Sequence, residues 1–165
     1  MGAFREVIKI FIGSPGDLNE ERTLFRRIVG EVNRIKANSM GIQLEPVGWE
    51  DTLPGKGRPQ ELINKDIKQS DLVVLLLWKH WGTHTGNYTS GFEEEYELAK
   101  SLNENANGKP AIWLYFRAVP DDMLADPGEQ LKKVLGFRNK IEEEKKFCIC
   151  IAPPYFKTFP AIFLQ

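Results

Sequence analysis

Short, almost unbroken apolar runs alternate along the chain with longer stretches in which apolar residues return every three or four positions. The first pattern belongs to strands buried on both faces and the second to helices packed by one side, so the alternation predicts a parallel sheet covered by helices. Strands are expected at residues 7–12, 42–49, 72–78, 111–116 and 147–151, and helices after Asp17, at 60–69, at 92–103 and between Pro127-Gly128 and Lys146. Pro46 cannot donate to a ladder and marks the second strand as an edge. Leu72 to Trp78 is apolar at every position, which marks the third strand as central. Right-handed crossovers then favour a three-layer, doubly wound α/β fold whose five strands lie in the order 2-1-3-4-5, formed by one domain over 1–165.

Local signals set the boundaries. Gly13-Ser14-Pro15-Gly16 enforces a tight turn after the first strand. Asp17 followed by Glu20 reads as a capping box for a helix with Leu18, Phe25, Ile28, Val29, Val32 and Ile35 on its apolar side, and residues 38–41 end it. Residues 50–59 are rich in glycine and proline and are expected as a surface loop. The aromatic segment 155–165 stops without a polar tail, so the polypeptide is expected to continue as a longer protein.

Composition narrows the function classes. The 165 residues carry 22 Lys+Arg against 23 Asp+Glu, a formal charge of -1 that offers no net field toward nucleic acid or an anionic membrane. No apolar run approaches the ~20 residues that cross a bilayer, and the N-terminus lacks a signal-peptide core, so a cytoplasmic domain is expected. Cys148 and Cys150 lie too close along one strand to bridge. His80 and His84 have no cysteine nearby, and no metal site is expected.

In the predicted topology the chain reverses direction between strands one and three, and ligands bind at the carboxyl ends beside that switch. The loops at 13–17 and 79–91 meet there. On a helical wheel from Phe92, Tyr96, Ala99 and Leu102 form the apolar side, while Glu93, Glu94, Glu97 and Lys100 lie across from it or on its shoulder. Glu95 falls instead between Leu102 and Ala99, turned toward the sheet in the first helical turn. Burial would raise its pKa, against the helix N-terminus. Pairing with an arginine, or a side chain that curls out to water, stays open on periodicity alone. Gly13 and Ser14 could hold phosphate or ribose oxygens through backbone N–H groups, or form a plain turn. Lys56 and Arg58 could close over an anion, or be solvated charge. Trp78 and Trp81 could stack on a heterocycle, or pack in the core.

Three segments carry a resemblance: 8–17 with Glu20-Glu21-Arg22, then Ser70-Asp71-Leu72-Val73-Val74, then 90–99. Together they resemble a TIR-like domain family of unknown function, found at the N-terminus of STAND-type signalling and antiphage proteins, with TIR domains and nucleoside deoxyribosyltransferases as wider relatives. The resemblance runs from about Val7 to Ile151 and implies a flavodoxin-like, TIR-like fold. It also implies cleavage of the nicotinamide–ribose bond of NAD in defence signalling, with Glu95 as the catalytic carboxylate, preceded by Ser90 and followed by Ala99. Gly13 and Ser14 would position ribose or phosphate, Trp49, Trp78 or Trp81 would stack on a ring, and Lys56 or Arg58 would close over the pyrophosphate. NAD is then substrate, with no cofactor. The partners implied are further copies of the domain and downstream STAND sensor domains, with neither nucleic acid nor membrane. Two departures stand out. Pro15-Gly16 replaces the usual aromatic and arginine pattern of TIR domains, and no Asp or Glu occurs between Leu72 and Phe92, which disfavours deoxyribosyl transfer. Glu94 stays open as the alternative carboxylate, and a non-catalytic self-association module as the alternative function.

Overall fold

The structure, a computed structural model, describes residues 4–48, 59–144 and 148–152. Its strands are β1 (Glu6–Gly13), β2 (Ile42–Val47), β3 (Leu72–Leu77), β4 (Ala111–Arg117) and β5 (Cys148–Ala152). All neighbouring pairs are parallel, and the spatial order is β2-β1-β3-β4-β5. Pro46 lies on the edge strand β2, opposite Ile10 of β1, as its missing donor requires. The helices are α1 (Asn19–Ile35), α2 (Pro59–Lys68), α3 (Gly91–Asn105), α4 (Asp121–Ala125) and α5 (Glu129–Glu144).

Alternation along the strands sorts the core into two layers. Ile10, Ile12, Val74, Leu76 and Tyr115 point to one face, where Phe25, Ile28 and Val29 of α1 cover them. Phe11, Val73, Leu75, Leu77 and Leu114 point to the other, beneath Ile67 of α2, Tyr96 and Ala99 of α3 and Val134 of α5. The central strand β3 has neighbours on both sides and helices on both faces, and residues 73–77 are at most 1% exposed. Among the described residues no helix is long and apolar enough to cross a membrane.

Two boundary expectations are corrected. Asp17 and Glu20 form no capping box, because the chain first makes a 3-10 turn over Gly16–Leu18, and Leu18 at the start of α1 offers no side-chain cap. That turn buries Leu18 and sends the Asp17 carboxylate toward β3, where Oδ2 accepts from the backbone N–H of Lys79 at 3.4 Å. Ile35 is 62% exposed rather than inward, since the chain leaves the helix there and the next 3-10 turn buries Ala37 in its place.

Candidate functional site

The site grows from the end of β1. Gly13 pairs with Leu75 of β3, after which Ser14 and Pro15 turn the chain toward α1. A loop that returns over itself needs its carbonyls satisfied, and a buried arginine does this. Arg22, only 2% exposed, donates through Nη1 to Ser14 O at 3.0 Å, Ser14 Oγ at 2.5 Å and Pro15 O at 3.3 Å, and through Nη2 to Asn19 Oδ1. The Asn19 and Arg22 positions of the first strand-turn-helix motif thus act as a brace under the turn.

Opposite this turn lies the segment between β3 and α3. The backbone N–H groups of Trp81 and Gly82 donate to Gln130 Oε1 at 2.8 and 3.1 Å, which ties the loop to α5. Trp81 is buried, donates from Nε1 to Thr89 Oγ1 at 2.8 Å, and packs on Phe92 and Phe137. Thr85 and Tyr88 exchange backbone hydrogen bonds, closing a small hairpin. Ser90 then caps α3, its Oγ accepting from the backbone N–H of Glu93 at 3.1 Å.

Between the two loops opens a cavity of about 330 Å³, walled by Ser14 and Pro15 of the turn, Gln60 of α2, His80, Trp81 and Thr85 of the loop, and Phe92 and Glu95 of α3. Glu95 is 9% exposed, so the expectation that it faces the sheet is met. Its Oε2 comes within overlap distance of where a β-carbon on Gly13 would stand, with Leu75 and Phe11 also close at 3.0 Å, so the glycine keeps this approach open. Its Oε1 accepts a long contact, 3.5 Å, from Gln60 Nε2. Burial raises the Glu95 pKa from 4.5 to about 7, while the Gln60 hydrogen bond and the Arg22 charge pull it down and the Glu94 charge pushes it up. A carboxyl that ionises near neutrality inside a cavity is poised for chemistry or for binding a cation.

Glu94 needs correction. Placed by the wheel across from the apolar side or on its shoulder, it is nonetheless 4% exposed, because α2 packs against α3 on that side. Asn64 Nδ2 donates to its Oε1 at 2.9 Å and Thr85 Oγ1 to its Oε2 at 2.7 Å. Both oxygens are engaged in holding α2, α3 and the hairpin together, and Glu94 is not on the cavity wall.

The other sequence candidates divide. Ser14 and Trp81 line the cavity, and Gly13 borders it through Glu95. Trp78 is not brought to it. The Trp78 Nε1 donates to Ala118 O at 3.2 Å, and its ring is flanked by Lys79 Nζ at 4.1 Å and Arg117 Cζ at 4.0 Å, with Arg117 paired to Glu21 at 2.6 Å. Trp49, Lys56 and Arg58 lie outside the described residues. Among the described residues no group of three or more His, Cys, Asp or Glu could hold a metal ion. Sequence reading missed Gln60, Asn64 and Thr85, which meet α3 only through packing. The available hint was Gly91 at the start of α3, a second glycine that keeps a space clear.

Comparison with known proteins follows the same lines. A family model described as "Domain of unknown function (DUF4062)" matches residues 9–158. Among solved structures the chain is similar to the TIR domains in "Structure of the activated Roq1 resistosome directly recognizing the pathogen effector XopQ", with 13% identity, 83% of this chain and 74% of that chain covered, and a TM-score of 0.50. That likeness is one of fold. No curated protein matches.

Proposed function

Because the chain belongs to the DUF4062 family and has a TIR-like α/β fold, we propose that it cleaves the bond between nicotinamide and ribose in NAD, with Glu95 as the catalytic carboxylate. The observation that carries this reading is the buried Glu95 carboxyl, backed by Gly13 and opening into a cavity at the ends of β1 and β3. When the C1′–N bond breaks, its electron pair goes to the nicotinamide nitrogen and the ribose becomes oxocarbenium-like. A carboxylate beside it stabilises that charge. Water then bonds to C1′ and gives up one proton, leaving nicotinamide and ADP-ribose.

The charge of the substrate fits the site. Oxidised nicotinamide is a pyridinium cation, and placed beside Glu95 it favours the ionised carboxylate. At low NAD concentration the rate should therefore rise with pH through about 7, the value of the free protein, and then level. At saturating NAD the rise should come at lower pH, and binding below about 7 should release a proton. Ser14 and the backbone at Gly13 would hold ribose or phosphate, and the Trp81 edge would border the ring. Lys56, Arg58 and Trp49 are proposed for the pyrophosphate and the second ring, and Trp78 keeps at most a peripheral role.

A cavity of about 330 Å³ suits a nucleoside-sized portion of NAD, so the rest needs surface from elsewhere. We place that surface on a neighbouring copy, the domain acting as a cytoplasmic effector, clustered by STAND sensor domains in the same polypeptide. The likeness to TIR domains within an activated resistosome supports a signalling role of this kind. It equally supports a second reading, a self-associating module without catalysis. Nicotinamide release from NAD, followed for the free and the artificially clustered domain and for Glu95→Gln, separates the two. Turnover that needs clustering and disappears in Glu95→Gln supports the enzyme. No release from any clustered wild-type sample supports the scaffold.

A further inference from the structure

Two glycines flank the site, and each makes room for one side chain. Gly13 admits Oε2 of Glu95. At Gly91, the first residue of α3, a β-carbon would lie 3.0 Å from Gln60 Oε1, so the Gln60 amide rests directly on the helix start. Gln60 is 7% exposed at the beginning of α2. Its Nε2 points to two acceptors, Glu95 Oε1 at 3.5 Å and Asn64 Oδ1 at 3.4 Å. Asn64 in turn donates to Glu94, which Thr85 holds from the other side.

We propose that Gln60 is the positioning residue of this site: its amide, wedged against Gly91, holds Oε1 of Glu95 and leaves Oε2 as the oxygen presented at the Gly13–Ser14 turn. The assignment rests on Glu95 being the working carboxylate. A buried carboxyl that loses a donor stays protonated to higher pH. An amide is suited to the task because its two N–H groups can serve Glu95 and Asn64 together without adding charge. The charged groups that face Glu95 are Arg22 from α1 and Glu94 on α3, with His80 on the cavity wall from the loop after β3. Gln60 is a neutral donor to Oε1, so its replacement leaves these charges in place and alters the donor.

The test reads Glu95 directly. Carboxyl carbons of ¹³C-labelled glutamate are titrated by NMR in the wild-type domain, in Gln60→Met, which keeps the volume and loses the donor, and in Gly91→Ala, which pushes the amide from the opposite side. The Glu95 signal is the one absent from Glu95→Gln. The expected result is an upward move of the Glu95 midpoint by about half a unit to one unit in Gln60→Met, and a displaced midpoint in Gly91→Ala as the Gln60 amide shifts. Nicotinamide release, where present, should shift its pH midpoint in parallel. A Glu95 midpoint unchanged in both variants overturns the proposal and leaves Gln60 a packing residue. If Gln60→Met fails to fold, Gly91→Ala alone decides. A shifted midpoint in a protein that releases no nicotinamide, clustered or free, upholds the positioning role and overturns NAD cleavage, so the two failures are told apart.

Discussion

At Glu95 a single proton links stability to pH. Its carboxyl has a higher pKa in the fold, about 7, than the 4.5 of a free glutamate. Between those values the native state holds more protons than the unfolded chain, so stability falls as pH rises through the interval and levels above it. The full swing is on the order of 3 kcal/mol, taken at about 1.4 kcal/mol per unit. Glu95→Gln removes this dependence. Thermal unfolding followed from pH 4 to 8 should show the variant gaining on wild type as pH rises, and identical pH slopes would contradict the burial of the carboxyl. Gly13→Ala attacks the same spot sterically, because the new β-carbon meets Leu75 and Phe11 at 3.0 Å and forces the Oε2 end of Glu95 to move. A loss of about 1–3 kcal/mol in denaturant unfolding is expected, together with loss of whatever activity Glu95 supports. Glu95 was legible in sequence because its position breaks the polar stripe of a helix. Gln60 was not, since nothing along α2 distinguishes a glutamine facing a neighbour from one facing water.

The elements around the site are joined by side chains rather than by loops alone. Arg22 braces the β1–α1 turn with one forked group spread over carbonyl and hydroxyl oxygens. Lysine has no such fork, so Arg22→Lys should cost about 2–3 kcal/mol and raise amide exchange at residues 13–18. On the other side, Thr85→Val leaves Glu94 Oε2 without that donor. A cost of about 1–3 kcal/mol is expected, with faster exchange across the hairpin at 83–89 and little change in β3. Exchange raised equally over the whole chain would argue against a local role. The failed capping box belongs to this scale. Asp17 and Glu20 have the right spacing, but Leu18 between them is worth more buried than exposed, and the 3-10 turn that buries it moves Asp17 off the cap. Glu94 was misread similarly, because a helical wheel knows its own sheet and not the second helix beside it.

For the whole molecule, the alternation of apolar runs was enough to place the switch between β1 and β3, since a run such as Leu72–Leu77 has only one comfortable location, between two layers of helix. The edge position of Pro46 followed from its chemistry in the same way. Side-chain convergence from four separate segments, 13–16, 60–64, 80–85 and 92–95, depends on tertiary packing and was legible only where the switch-point rule already pointed. The proposal that other copies complete the site rests on the cavity beside Glu95, about 330 Å³, being too small for the whole of NAD. Wild-type turnover should consequently rise more than in proportion to concentration, whereas a self-sufficient monomer gives a strictly linear dependence.

The central claim is that the buried Glu95 carboxylate cleaves NAD. The most direct measurement is nicotinamide release by the clustered domain across pH 5 to 9, at NAD well below saturation, with wild type and Glu95→Gln side by side. A wild-type rate that climbs through about pH 7 and is lost in the variant at every pH is the expected result. Equal rates in the two proteins, or none in either, would contradict it.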